Sequence, residues 1–291
     1  MTVPGTAVGR ELRSVAAPGG PVEVLVTGSG EPVTVFLPGL TGSIPQTRPF
    51  GSGVEGTRVF AHLAGHGGTP AWPPGAVPPG GAYRHLGRQA EAVVRATGAT
   101  AAVGVSLGAG ALLSVLAEGP LPLRRLVLCL PPGGPGGPAT SEPVRLRFAA
   151  MADALDAADV EALGRLLRDH QPAAVRRSPA VQLWARRHAA DLVAARASGL
   201  ATVLRTLPGE LPGELPGVPA PGPGFPATLV LAQEGDEAHP VAAAQRWAQL
   251  LGARLEVLPA GAIPWRGRGD LRRHIVAHLQ PADATPNTFS R

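Results

Sequence analysis

Thr100-Ala101-Ala102-Val103-Gly104-Val105-Ser106-Leu107-Gly108-Ala109-Gly110-Ala111 decides how the rest of the chain is read. Thr100 to Val105 has the composition of a buried strand, and a helical stretch follows from about Leu107 to Ala117. Their junction, Gly104-Val105-Ser106-Leu107-Gly108, reads G-x-S-x-G. The two glycines let the backbone turn sharply and bring the helix close against the strand. The Ser106 hydroxyl is thereby held above the sheet at a helix N-terminus, where developing negative charge is favoured. A glycine-rich strand–helix turn without chemistry is the alternative.

Working outward, β-character alternates with helical periodicity for most of the length, the pattern of a mainly parallel sheet flanked by helices. Strands are expected at 22–26, 32–37 and 58–60, the last ending in the loop Leu63-Ala64-Gly65-His66-Gly67-Gly68. A helix is expected over 82–97, with Leu86, Ala90, Val93 and Val94 on one face and Gly98 as its stop. A strand over 125–130 follows the elbow. Beyond the middle of the chain, strands are expected at 227–232 and 255–258, and helices at 241–251 and 270–279.

Two Pro/Gly tracts, 131–138 and 208–224, bracket a region of different character. Between them the periodicity is helical, over about 141–155, 157–169 and 179–205, with Ser178 an N-cap before Pro179. This predicts a core formed by 1–131 and 225–280, a helical cap at 132–224 that covers the pocket, and a tail at 281–291. His170 and His188 in the cap are expected to be surface or helix-packing residues.

Composition removes several function classes. The chain has 291 residues, 44% of them hydrophobic, and a single cysteine. Cys129 sits inside a strand as an inert core residue, and one cysteine makes neither a disulfide framework nor a cysteine metal site. The net charge is +5, and every basic residue is an arginine. These arginines are scattered, with no dense patch for phosphates, which argues against a nucleic-acid partner. No apolar run approaches the roughly 20 residues of a membrane span. The start, Met1-Thr2-Val3-Pro4-Gly5, lacks a basic region followed by an apolar one. A soluble cytoplasmic protein with a small-molecule substrate, no metal and no cofactor is the expectation; the oligomeric state is left open.

With these elements in this order, the chain from 20 to 280 resembles an α/β-hydrolase. Phe36-Leu37-Pro38-Gly39-Leu40-Thr41-Gly42 is similar to the family's oxyanion loop, with Pro38-Gly39 where His-Gly is usual. The resemblance implies an oxyanion hole made by the backbone N–H groups of Leu40 and Leu107, which do not depend on side-chain identity. Gly65-His66-Gly67 is similar to the family's G-H-G loop, where the histidine is structural. The acid is implied at Asp236, after the strand 227–232, with a capping or solvated loop aspartate as the other reading. Glu234 and Glu237 are weaker candidates. The family's histidine follows the last strand, and Ala262 occupies the matching position here.

Among the eight histidines, His239 is best placed to act as base instead. It follows Asp236 by three residues, at the C-terminal mouth of the sheet where α/β ligands bind. Pro240 would open the next helix with His239 as its cap, and a structural cap is the competing reading. His274 and His278 are expected on the surface or in packing. The leading function is a serine hydrolase of a small or medium ester, thioester, lactone or similar carbonyl compound, through an acyl-enzyme at Ser106. Two readings stay beside it: a hydrolase-like binding protein without turnover, and a lyase or cyclase step in a biosynthetic pathway. Ser106 at the elbow, in place of an aspartate, argues against haloalkane dehalogenase or epoxide hydrolase chemistry.

Overall fold

The computed structural model of the chain describes residues 11–73, 75–78, 81–133, 142–207, 222, 224–263, 265–266 and 268–280. The tail expected at 281–291 and most of the two Pro/Gly tracts lie outside these residues. Eight strands form one sheet: β1 (Glu11–Val15), β2 (Val22–Thr27), β3 (Val33–Leu37), β4 (Thr57–Ala61), β5 (Ala101–Val105), β6 (Arg125–Cys129), β7 (Ala227–Gln233) and β8 (Arg254–Leu258). Their order is β1-β2-β4-β3-β5-β6-β7-β8, antiparallel from β1 to β4 and parallel thereafter.

The helices are α1 (Ile44–Thr47), α2 (Ala82–Thr97), α3 (Leu107–Glu118), α4 (Glu142–Asp156), α5 (Val160–Asp169), α6 (Pro179–Ala194), α7 (Leu200–Thr206), α8 (Val241–Leu250) and α9 (Arg268–Leu279). The parallel strands are buried on both faces, so they read as continuous apolar runs and their side chains alternate between two cores. Val35, Ala102, Leu128 and Val230 point to the core shared with α2, α3 and α8. Phe36, Val103, Val127 and Leu231 point to the one shared with α9.

Two departures from the sequence reading have plain causes. The helix expected over 179–205 is interrupted: α6 stops at Ala194, a short 3₁₀ turn follows, and Gly199 at φ 85° precedes α7. A left-handed residue ends a helix, and glycine adopts that conformation without steric cost. β1 was not expected because it is an edge strand whose sequence shows little alternation, with Leu12 61% exposed.

The cap helices α4–α7 lie between β6 and β7. Asp159 caps α5 by accepting the Ala162 N–H at 2.8 Å, and Ser178 caps α6 by accepting that of Val181 at 3.3 Å. Met151, Leu155, Leu163, Leu167, Ala185 and Val203 join the same buried cluster as α2 and α3. The insertion therefore packs continuously with the core. Among the described residues, no helix is long and apolar enough to cross a membrane.

Topology fixes where a ligand can bind. From β3 the chain steps outward to β4, then crosses back through α2 to β5 on the other side of β3. Connections leave in opposite directions at that point, which opens a crevice at the strands' carboxyl ends.

Candidate active site

Ser106 sits in that crevice, directly after β5. Its backbone is at φ 47°, ψ −102°, outside the ordinary regions for a residue with a side chain. Such a conformation costs about 1–3 kcal/mol and persists only where the surroundings over-determine it. Here the Ser106 N–H donates to Cys129 O at 2.9 Å, and the Gly108 N–H donates to Pro38 O at 2.9 Å. A Cβ on Gly104 would meet the Ala109 nitrogen at 2.6 Å, and one on Gly108 would meet Leu37 Cβ at 2.6 Å. Both glycines of the motif are therefore required by close backbone approach.

An imidazole reaches the serine. His239 Nε2 lies 2.7 Å from Ser106 Oγ, across 133 residues of sequence. On its other side His239 Nδ1 is 3.2 Å from Asp236 Oδ1. These contacts assign the tautomer: Nδ1–H donates to the carboxylate, which leaves Nε2 to accept the serine proton. His239 follows β7 and is not the helix cap. α8 begins at Val241, as expected from the sequence, and its N-cap is Pro240.

Asp236 is held by four donors. Oδ1 accepts the backbone N–H groups of Ala238 and His239, both at 3.0 Å, as well as the imidazole N–H. Oδ2 accepts Gln233 Nε2–H at 2.9 Å. Burial opposes its charge, but the His239 ring, the Gln233 amide and the His239 backbone N–H outweigh burial and hold the carboxyl well below its usual range. Gln233, 1% exposed at the end of β7, also accepts the Ile263 N–H at 3.0 Å. It thus ties the acid to the loop after β8. The sequence reading missed Gln233, whose only signal was a polar residue closing an apolar strand.

Ala262 in that loop is 3% exposed and packs with Leu258, Ile263 and Leu271.

The loop after β3 lies opposite the elbow. Gly42 N–H closes a turn on Gly39 O at 2.8 Å, and Thr41 adopts φ 66°. Among the described residues no protein acceptor takes the N–H of Leu40 or Leu107. Three histidines hold the segment. His66 Nδ1–H donates to Ala64 O at 3.0 Å, so its Nε2 accepts the Thr41 N–H at 3.1 Å. His62 Nδ1 pairs with Glu23 at 2.6 Å while Nε2 accepts the Ile44 N–H at 2.9 Å. His188, from α6, takes a hydrogen bond from the Gln46 amide at 2.7 Å.

His66 is the structural loop residue expected of it. Of the two readings given for the cap histidines, His188 takes the packing one, and His170 is half-buried. His188 is 4% exposed and stacks on Trp184, and His170 lines the cavity. Both sit on the cap's inner side, which periodicity alone does not distinguish from a surface. His278 donates its Nε2–H to Ala227 O at 2.9 Å, and His274 faces Glu256; neither lines the cavity.

Ser106, His239, Asp236, Leu40 and the cap together line a half-open cavity of about 190 Å³.

The buried histidines make stability acid-sensitive. Burial pushes His66, His170 and His188 each down to about 4. The rings stay neutral in the folded protein, while the unfolded chain protonates them below about pH 6.5. Between these values the unfolded state binds more protons, so stability falls as pH falls, and the loss is complete below about pH 4. Each ring contributes roughly 1.4 kcal/mol per pH unit within that window. Urea unfolding at pH 7, 6 and 5 should show a steep loss; equal stability at all three would contradict it.

No protein-family model matches the chain, and no curated protein matches it in sequence. Solved structures do match in fold. The enol-lactonase from Burkholderia xenovorans LB400 aligns with a TM-score of 0.68 at 20% identity, covering 92% of this chain and 99% of that one. A thermophilic esterase from Thermogutta terrifontis gives 0.68 at 16% identity, covering 92% and 96%. The esterase from Exiguobacterium antarcticum gives 0.66 at 17% identity, covering 91% and 98%. The chain has the α/β-hydrolase fold: a mostly parallel sheet flanked by helices, with an inserted helical cap.

Proposed function

We propose that the protein is a serine hydrolase of a small or medium ester, thioester, lactone or similar carbonyl compound. The observation that carries this reading is the unbroken chain from Ser106 Oγ to His239 Nε2 at 2.7 Å and from His239 Nδ1 to Asp236 at 3.2 Å. A serine hydroxyl becomes a useful nucleophile only when a neighbouring base takes its proton. His239 takes it as Oγ attacks the carbonyl carbon, and Asp236 holds the ring in the required tautomer and stabilises the imidazolium. The N–H groups of Leu40 and Leu107, which no acceptor takes among the described residues, receive the developing oxyanion. The tetrahedral adduct collapses as His239 returns its proton to the leaving group. Water, deprotonated by the same imidazole, then releases the acid from Ser106.

The likeness to two esterases and an enol-lactonase agrees with acyl transfer, although at these identities it bears on fold alone. The readings without turnover, as a binding protein or as a lyase or cyclase, rested on a missing base. A histidine within hydrogen-bond distance of Ser106 removes that premise.

In this proposal the base comes from the loop after β7 rather than the loop after β8. Ala262→His should therefore bring no gain in rate. It inserts an imidazole into a packed, buried site, and overpacking costs about 1–3 kcal/mol. A lower melting temperature with unchanged or reduced kcat is expected; a rate gain of orders of magnitude would mean that position 262 lacks a needed base. The direct test of the function is hydrolysis of p-nitrophenyl acetate by the parent and by Ser106→Ala. Turnover that disappears with Ser106 supports the proposal, and equal rates in both proteins would end it.

A further inference from the structure

The cap side of the cavity is aromatic, rigid and uncharged. Trp184 and Trp265 meet edge to face with centroids 5.1 Å apart at 74°. Trp265 is fixed by its indole N–H on Gln171 Oε1 at 2.8 Å, and Trp184 by stacking on His188 at 5.1 Å and 25°. Phe50, Phe148, Met151 and Leu167 complete the apolar lining. Indoles locked by neighbours offer a large contact area at little entropic cost on binding.

Charge is missing from this wall in a specific way. Among the described residues lining the cavity there is no arginine, and the chain has no lysine. The side chains of Arg10, Arg268 and Arg291 lie outside the described set. Arg147 faces His170 Nδ1 at 3.5 Å and is not part of the lining. Because a guanidinium only donates, that contact puts the neutral ring's proton on Nε2. Among the described residues lining the cavity, Asp236, an anion, is the one charged side chain. A second carboxylate brought into the cavity would lose water without a cation among the described lining residues and would be repelled by Asp236. Size sets the other limit: an apolar cavity of roughly 150 Å³ takes one benzene molecule. At about 190 Å³ and open on one side, this one holds a single ring with a short linker within its walls, and a second ring would extend toward the mouth.

We infer that the substrate is a neutral carbonyl compound whose group held against Trp184 and Trp265 is one compact aromatic or equally small apolar unit. The inference rests on the ester-hydrolase reading and narrows its substrate class. Methyl esters that cannot be turned over test it separately from catalysis, using the Ser106→Ala protein. Binding of methyl phenylacetate, monomethyl glutarate and methyl biphenyl-4-ylacetate is followed by tryptophan fluorescence and by calorimetry. Methyl phenylacetate is expected to bind at least about tenfold more tightly than either of the others, which is 1.4 kcal/mol or more. Equal or tighter binding of monomethyl glutarate would overturn the charge argument. Equal binding of the biphenyl ester would overturn the size argument, and no binding of any of the three would overturn the inference outright. If the expected order holds while the parent hydrolyses nothing, the cavity assignment stands and the hydrolase reading fails.

Discussion

His239→Ala is expected to lower kcat for p-nitrophenyl acetate by on the order of 10⁶-fold, about as much as Ser106→Ala. In the proposed mechanism the two residues form one unit: without the imidazole 2.7 Å away, the serine proton has no acceptor in the attack step. Losing both should cost no more than losing either, because members of a catalytic unit act non-additively. The fold should survive. His239 is in a loop, and its side chain borders a cavity already present, so truncation enlarges that cavity instead of opening a new void in the core. An unchanged circular dichroism spectrum and a melting temperature within a few degrees of the parent would confirm that the loss is chemical. A loss of tenfold or less would mean that another group takes the proton.

Asp236→Asn is the second large effect, with an expected loss in kcat of about 10⁴-fold, as for the equivalent change in other serine triads. The shape is nearly conserved, so the argument is one of hydrogen-bond polarity. All four partners of Asp236 donate: two backbone N–H groups, the His239 ring and the Gln233 amide. An asparagine has one accepting oxygen, so its NH₂ must face a donor in either orientation. Gln233 cannot relieve this by turning over, because its oxygen already accepts the Ile263 N–H. If the NH₂ faces the imidazole, Nδ1 must become the acceptor and Nε2 carries the proton, which leaves no base at Ser106. If it faces Gln233, the acid is pushed away from the ring it orients. Steady-state rates with a melting curve test this, and full activity in the variant would show that Asp236 has only a structural role.

Much of this arrangement is legible in the chain because it is local. Gly104 to Gly108 joins a short apolar run to a helix, and both glycines prove to be where no Cβ fits. The parallel strands show as apolar runs because both of their faces are covered. Asp236 and His239 are three residues apart, so a shared loop was readable. His239 was expected as the base for Ser106, with a structural cap as the competing reading, but the contact itself depends on how β5 and β7 sit across β6, which no local pattern records. The same holds for Gln46 and His188, 142 residues apart, and for Trp265 and Gln171, 94 apart. A histidine at a helical position carries no mark of whether it faces solvent or a cavity, which is why His170 and His188 were read as surface or packing residues. Gln233 is the most instructive omission. Its role depends on two loops that only the finished sheet brings together.

In the proposed mechanism Ser106 is acylated because His239, from the loop after β7, takes its proton. This step is tested most directly by quenching the reaction with p-nitrophenyl acetate in acid during turnover and measuring the mass of the peptide containing Ser106. The account predicts an acetyl group on Ser106 in the parent protein and none in His239→Ala over the same interval. Acetylation of Ser106 that proceeds equally well without His239, or turnover in the parent with the acetyl group on another residue, would contradict it.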